Sequence, residues 1–127
     1  NRYISQMLEE TNVIIVDFHA EATSEKVALG WFLDGKVSAV IGTHTHIQTN
    51  DARVLPQGTA YITDVGMTGP RDSVLGIKKE LVINRFLTQL PTRFEVASGP
   101  VQLNAVIIDI NEDTGKANFI RTVNIHE

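Results

Sequence analysis

The stretch that decides the fold is Val37-Ser38-Ala39-Val40-Ile41-Gly42-Thr43-His44-Thr45-His46, an apolar run followed by a glycine and two histidines. The valines and isoleucine of the run predict a buried strand over 37–41. Gly42 allows the backbone to turn or to approach another group closely. If the chain stays extended beyond Gly42, His44 and His46 fall on one face, because strand side chains repeat every two residues.

A third histidine follows a second apolar run. Residues 13–18 are apolar except for Asp17, as expected of a strand covered on both faces, and His19 comes directly after them. In open α/β sheets, ligands bind at the ends of such strands. Converging imidazoles suit a transition-metal ion. The alternative for His44 and His46 is a pair of partly exposed loop histidines, and His126, next to the terminus, is predicted to be exposed and without function.

The other elements follow from periodicity and turn residues. A short helix is predicted to end near Glu10, and a second helix to begin with Thr23 or Ser24 as its cap and to end at Asp34-Gly35. The predicted buried face of this second helix consists of Val27, Ala28, Trp31 and Phe32. Further strands are expected over 59–63, 93–97, 102–110 and 117–125, with a helix over 78–87 and a hairpin turn at 111–115. Alternating strands and helices indicate βαβ construction, hence an α/β fold to which the last third adds antiparallel strands.

Composition excludes several classes of protein. The 127 residues are 43% hydrophobic, enough for a single core, and the net charge of -4 with scattered Lys and Arg gives no basic footprint for nucleic acid. Without cysteine there are no disulfides or thiolate sites, so a metal must be held by nitrogen and oxygen ligands. No apolar run is long enough for a membrane span and no signal peptide is visible, which predicts a cytoplasmic protein without a membrane partner. Because the sequence opens at Asn1 without methionine, we expect a processed or partial chain.

Acidic residues near the histidines are candidates for a supporting role. Asp17, Glu21 and Asp64 could ligate a metal or orient an imidazole. Equally open are a buried carboxylate that caps backbone amides for Asp17 and a solvated loop carboxylate for Glu21. Residues 66–73 form either a flexible connector or a loop that contacts substrate, with Thr68 and Arg71 as the candidate contacts. For Arg71, a solvated loop arginine is the alternative.

Three segments, residues 17–26, 42–46 and 61–70, closely resemble the bacterial YmdB-like metallophosphoesterases. These are calcineurin-like enzymes with a dinuclear metal site, known to act on 2′,3′-cyclic nucleotides. The resemblance implies an α/β sandwich of mixed sheets flanked by helices, and it implies His19, His44 and His46 as metal ligands, with His44 and His46 serving different ions. It further implies two divalent ions (Fe, Mn, Zn or Mg, which the ligands do not distinguish) and a small-molecule phosphodiester substrate.

The resemblance covers only the C-terminal half of such an enzyme. Residues 1–127 correspond to the C-terminal part of one metallophosphoesterase domain. The family's Gly-Asp-Val, Gly-Glu-Asn and Gly-Asn-His elements, which supply the bridging carboxylate, the amide ligands and the histidine that protonates the leaving group, are absent here. We therefore expect the 127-residue chain alone to be inactive. Its expected partners are the N-terminal half or further copies in a homo-oligomer.

Two other interpretations stay open at this point. The chain could be a catalytically incompetent fragment or packing module that binds metal weakly. It could also be a mononuclear zinc hydrolase, for which Glu21 is the only obvious general base.

Overall fold

A computed structural model describes residues 2–127 of the chain, and Asn1 lies outside the described residues. Three helices and seven strands are assigned within them: α1 (Arg2–Met7), β1 (Ile15–His19), α2 (Thr23–Leu33), β2 (Ala39–Thr43), β3 (Arg53–Val54), β4 (Ala60–Ile62), β5 (Gly69–Pro70), α3 (Lys79–Thr88), β6 (Val101–Ile110) and β7 (Ala117–His126). None of these helices has the length and apolar character needed to cross a bilayer. The predicted α/β class is confirmed.

A four-stranded sheet in the order β1-β2-β4-β3 carries the three predicted strand ends. β1 runs parallel to β2, and β2 runs parallel to β4, whereas β3 is antiparallel to β4. The register pairs His19 with Thr43 and Ile41 with Ile62. Consequently β1, β2 and β4 end at the same edge of the sheet, as βαβ construction requires.

Helix α2 is rotated relative to the prediction. Trp31 is 48% and Phe32 is 53% exposed, so the predicted burial of these two residues is wrong, whereas Val27 is half-buried against the core as predicted. The buried residues of α2 are Lys26, Gly30 and Leu33. Gly30 sets this rotation because its Cα lies against the ring of Tyr61, where an added Cβ would be 2.5 Å from Cδ2.

The start of α2 also differs from the prediction. The residue at the N-cap is Ala22, without a side-chain hydrogen bond, rather than Thr23 or Ser24. The helix therefore begins without the side-chain cap that its sequence offers.

The two faces of the four-stranded sheet bury different residues. Large side chains pack together on one face, namely Ile14, Leu33, Val37, Val40, Leu55 and Tyr61. Small side chains, Ala39, Ala60 and Ala117, pack on the other face against partly buried Val54, Ile108 and Ile120. Because Ala117, Ile108 and Ile120 belong to β6 and β7, the predicted C-terminal hairpin completes this second core.

Two compact units can be distinguished. One comprises the chain up to Gly66 together with Ala105–Val123, and the other comprises Met67–Asn104 and Asn124–Glu127. β5 pairs antiparallel with β6 in the sheet β5-β6-β7. The strand predicted over 93–97 is wrong, because only an isolated bridge between Ile77 and Val96 forms there. Helix α3 buries Val82 and leaves Phe86 78% exposed.

Gly42 is required by close packing where β2 meets β4. A Cβ at this position would overlap the carbonyl oxygen of Thr63 and lie 2.9 Å from Cδ of Lys26. At the same place, the Val65 amide donates a hydrogen bond of 3.0 Å to the Gly42 carbonyl oxygen. Gly42 therefore allows β2 and the backbone at Thr63 to pack closely together.

We predict that Gly42→Ala destabilises the complete protein by at least about 3 kcal/mol, the upper end of the usual cost of overpacking. A backbone carbonyl cannot rotate away from the added methyl group as a flexible side chain could. Urea unfolding measures the effect.

Gly99→Ala is the matched control. Gly99 has a φ of +121° and nothing within 4 Å of an added Cβ, so only backbone strain of about 1–2 kcal/mol is expected. Equal losses in the two variants would contradict the assigned role of Gly42.

Candidate metal centre

The carboxyl ends of the three parallel strands bring the predicted site residues to one edge. His19 is the last residue of β1, His44 follows β2 directly, and Asp64 comes two residues after β4. The pairing of His19 with Thr43 sets the first two segments side by side. The expectation that these strand ends meet is confirmed for His19 and His44.

The imidazoles of His19 and His44 are in contact. Nδ1 of His44 lies 3.1 Å from Nε2 of His19, and the rings meet edge to face with centroids 5.0 Å apart. The other ring nitrogen of His19, Nδ1, lies 3.1 Å from the hydroxyl oxygen of Thr43. One threonine and two histidines therefore form a connected chain at the exposed edge of the sheet.

Thr43 holds the His19 imidazole through Nδ1. When Nδ1 of His19 donates its hydrogen to the Thr43 hydroxyl, Nε2 keeps a free lone pair. Such an orienting contact is typical of metal-bound histidines. Thr43, which the sequence pattern did not single out, makes this contact with His19.

His44 and His46 would share a face only if the chain stayed extended beyond Gly42, and this condition is not met. The chain bends after β2, and His44 and His46 have φ values of 139° and 65°. Within residues 2–127, the His46 side chain makes no hydrogen bond or ring contact with the other two histidines. Its assignment as a ligand stays a prediction.

The histidine pair fits part of the ligand set of one metal ion. Two Zn–N bonds of about 2.0–2.1 Å that meet at a tetrahedral angle separate their nitrogens by roughly 3.3 Å. The observed separation between the facing nitrogens of His19 and His44 is 3.1 Å. Among the described residues, no group of three or more His, Cys, Asp and Glu side chains is arranged to hold a metal. The pair therefore fits one ion, and a dinuclear site needs further donors.

The three acidic candidates differ sharply in their surroundings. Asp17 and Glu21 are exposed, and neither carboxylate has a hydrogen bond or an ion pair with the part of the chain that the structure describes. Asp64 is 1% exposed. Its Oδ2 accepts a hydrogen bond from the Thr45 amide at 2.7 Å, and its Oδ1 accepts one from the Gly66 amide at 2.9 Å. Asp64 therefore binds the loop between His44 and His46.

The hydrogen bonds of Asp64 keep its carboxyl ionised. Burial by itself would raise the pKa of Asp64, but the backbone hydrogen bonds from Thr45 and Gly66 outweigh it. The Thr45 hydroxyl and the positive charge of Lys26 add to this effect, and the pKa lies below its ordinary value of 3.8. The Asp64 carboxyl is thus ionised in the folded protein.

Lys26, which the sequence pattern did not single out, contacts the same carboxylate. Its side chain is 1% exposed, and Nζ lies 3.4 Å from Oδ2 of Asp64 and 3.4 Å from the Thr43 carbonyl oxygen. Its position in a helix beside Glu25 gave no signal of burial. Its place at the end of the segment 17–26, which carries the family resemblance, was the one available hint.

Gln48 and Asp51 were also missed, and both fix the loop that follows His46. The Gln48 amide donates to the carbonyl oxygens of Val65, Ala105 and Val123 at 3.0–3.3 Å. Burial would raise the pKa of Asp51, but hydrogen bonds from the Thr49 hydroxyl and from the hydroxyl and amide of Thr63 lower it below 3.8. The side chains of this loop therefore bind groups from several other segments.

Thr68 and Arg71 lie in the second compact unit. Both are exposed, and the Arg71 amide donates to the Pro100 carbonyl oxygen at 2.9 Å. The loop that contains them is partly ordered by β5. Their roles in substrate binding stay predictions.

Comparison with known proteins decides the family. A model of the YmdB-like protein family matches residues 1–123. The chain belongs to the YmdB-like family. This confirms the resemblance inferred from the three sequence segments.

Three relatives show how far the similarity extends. A 2′,3′-cyclic-nucleotide 2′-phosphodiesterase of Bacillus subtilis (strain 168) is 57% identical over 124 residues, which are 98% of this YmdB-like chain and 47% of that protein. A hypothetical protein from Thermus thermophilus has a crystal structure with a TM-score of 0.87 and 44% identity, covering 99% of this chain and 50% of that one. A novel phosphatase from Mycoplasma pneumoniae gives a TM-score of 0.89 at 40% identity, with coverage of 98% and 46%. The YmdB-like chain thus spans about half the length of these relatives.

We predict that Asp64→Asn lowers the free energy of unfolding of the complete protein by about 3–5 kcal/mol, because it leaves the buried Lys26 charge without a partner. Glu95→Gln is the matched control. It removes the same charge from the Lys78–Glu95 pair, which is shorter, at 2.6 Å, but exposed, and it should change stability little. Urea unfolding compares the two, and a larger loss for Glu95→Gln would contradict the importance of burial.

The lowered pKa values of Asp51 and Asp64 predict a loss of stability in acid. A carboxyl whose pKa is lower in the folded state stabilises the fold fully above the unfolded value near 3.8, and this contribution is lost as pH falls through the folded value. Unfolding free energies measured from about pH 6 down to about pH 3 should therefore decline less steeply below 3.8 in an Asp51→Asn/Asp64→Asn variant than in the wild type. Identical slopes would contradict the prediction.

Proposed function

We propose that the complete protein is a metal-dependent phosphodiesterase, and that this chain supplies histidine ligands to its metal site. The observation that carries the proposal is the contact between His19 and His44 at the carboxyl edge of the sheet, with Thr43 on the far nitrogen of His19. The similarity to a protein named 2′,3′-cyclic-nucleotide 2′-phosphodiesterase supports the substrate class, namely cyclic nucleotides or similar small phosphodiesters.

The histidines suit this reaction because they are neutral donors. His19 and His44 would hold one ion through Nε2 and Nδ1, the two nitrogens that face each other, and His46 would serve a second ion. Neutral ligands leave the charge of the cations available to a phosphate group. A pair of divalent cations supplies charge neutralisation of the phosphate and a water of lowered pKa.

The remaining groups of the active site are proposed to lie outside this chain. A bridging carboxylate and the acid that protonates the leaving group have no candidate among the buried groups of the edge, because the Asp64 carboxylate is already bound to backbone amides and to Lys26. That the 127-residue chain alone is inactive stays a prediction, as do pairing with an N-terminal half, homo-oligomerisation and a cytoplasmic location.

The two alternative interpretations have less support. A packing module with weak metal binding is not favoured, because the named relatives are a phosphodiesterase and a phosphatase. A mononuclear hydrolase with Glu21 as base would need that carboxylate near the histidines. Glu21 is exposed, and within residues 2–127 it has no hydrogen bond with any of them.

The test uses the complete protein with Mn²⁺ and two substrates, a 2′,3′-cyclic nucleotide and bis-p-nitrophenyl phosphate. His44→Ala and His46→Ala should each lower kcat/KM by at least about 10–100-fold, the loss typical of even an indirect partner of a metal ligand. Steady-state rates at saturating Mn²⁺ measure the effect.

His126→Ala is the matched control. The His126 side chain is exposed and contacts Asn124 at 3.3 Å, so its removal should leave the rate unchanged. Full activity of the His44→Ala and His46→Ala variants would overturn the proposed function.

A further inference from the structure

The buried ion pair between Lys26 and Asp64 calls for an explanation beyond stability. Each side chain is 1% exposed, and within residues 2–127 they are the two ionisable side chains carrying opposite charges that lie fully buried. Removing two charges from water costs about as much as their attraction returns, so an apolar pair of similar volume would often stabilise the fold equally well. The contacts that the two charges make with the backbone indicate what they add.

The two ends of the ion pair bind the peptide groups on either side of His44. Nζ of Lys26 donates to the carbonyl oxygen of Thr43, the preceding residue, at 3.4 Å. Oδ2 of Asp64 accepts from the amide of Thr45, the following residue, at 2.7 Å. The same Nζ and Oδ2 atoms lie 3.4 Å apart. His44 is therefore the one residue enclosed between two anchored peptide groups.

The backbone at this point needs such anchoring. The φ values of His44 and His46, 139° and 65°, are costly for residues with a side chain and persist only where surrounding contacts enforce them. No glycine relieves the strain, since Gly42 lies within β2, before the bend. The conformation directs Nδ1 of His44 to a position 3.1 Å from Nε2 of His19.

Asp64 is itself rigidly placed. Its Oδ1 is bound by the Gly66 amide, and its own amide donates to the Thr49 hydroxyl at 2.9 Å. The Thr49 amide in turn donates to the Asp64 carbonyl oxygen at 3.0 Å. A carboxylate fixed at both ends can transmit its position to Thr45.

We propose that the Lys26–Asp64 ion pair is a positioning clamp for His44, which sets the imidazole against His19 in the geometry that one metal ion requires. The inference rests on the proposed function in so far as the ion is that of a phosphodiesterase. Lys26 and Asp64 are positioning residues and do not touch the substrate. Nζ of Lys26 binds both a backbone carbonyl and Oδ2 of Asp64, and Oδ2 binds both a backbone amide and Nζ. Charged groups suit these two buried atoms because each must make two such contacts.

The central variant is Lys26→Met/Asp64→Leu in the complete protein. It removes both charges and their contacts with the Thr43 carbonyl oxygen and the Thr45 and Gly66 amides, and it leaves no unpaired charge in the core, so it threatens the fold less than either single change. Thr59→Val is the matched control. Thr59 is fully buried at the opposite end of β4, where its hydroxyl binds the Val37 carbonyl oxygen at 2.6 Å, so this variant loses stability without touching the loop.

Two measurements are made well below the melting temperature of both variants. The first is the ¹H–¹⁵N spectrum of the imidazoles of metal-free protein, which reports the contact between His19 and His44. The second is a titration with Mn²⁺ alone. The double variant should lose the imidazole contact and bind Mn²⁺ at least about 10-fold more weakly. Thr59→Val should keep the spectrum and the affinity of the wild type.

The proposal is overturned if the double variant keeps the wild-type imidazole spectrum and Mn²⁺ affinity. If the double variant does not fold, amide hydrogen exchange of the wild type decides. The Thr45 amide should then exchange as slowly as the amides of β2. If it exchanges as fast as the amide of the exposed residue His46, the clamp is overturned. A wild type that shows the imidazole contact and hydrolyses no phosphodiester would refute the proposed function and leave the clamp standing.

Discussion

The hydrogen-bonded contact between the Lys26 ammonium and the Asp64 carboxylate is the constraint on which the candidate site depends. One charge arrives from α2, which follows β1, and the other from the segment that follows β4. Lys26 also binds the end of β2 at Thr43, and Asp64 binds the loop after it at Thr45, so the ion pair and these two hydrogen bonds link the three parallel strands at their carboxyl ends. In a low-dielectric interior such hydrogen bonds strengthen one another. The geometry of the two imidazoles is therefore a property of the whole sheet.

Much of the sheet could be predicted from local sequence. The Val- and Ile-rich runs before His19 and Gly42 specify buried strands, and the helix between them requires a parallel pair. Local sequence could not give the rotation of α2, because that rotation follows from the fit of Gly30 against Tyr61, a residue 31 positions away. For the same reason it placed Trp31 in the core and overlooked Lys26.

The candidate site, like the sheet, could be predicted only in part from the sequence. Strand ends and the family resemblance predicted His19 and His44, and the structure brings their rings together. The bend after β2 was not predictable from periodicity, because the Asp64 carboxylate that stabilises it comes from the segment after β4. The roles of His46, Thr68 and Arg71 stay predictions. Their side chains are exposed, and the chain spans about half the length of its relatives.

The hairpin of β6 and β7 has a consequence for biosynthesis. Asn12 donates its side-chain amide to the Asp113 carbonyl oxygen, 101 residues later, and the Ala117 amide donates to the Gly58 carbonyl oxygen. The alanine face of the parallel sheet is thus covered by residues that leave the ribosome well after the sheet itself. Until then a nascent chain presents this face and its neighbouring loops to chaperones and proteases. Translation that stalls before β7 should yield a product that the cell degrades rather than a partly folded module.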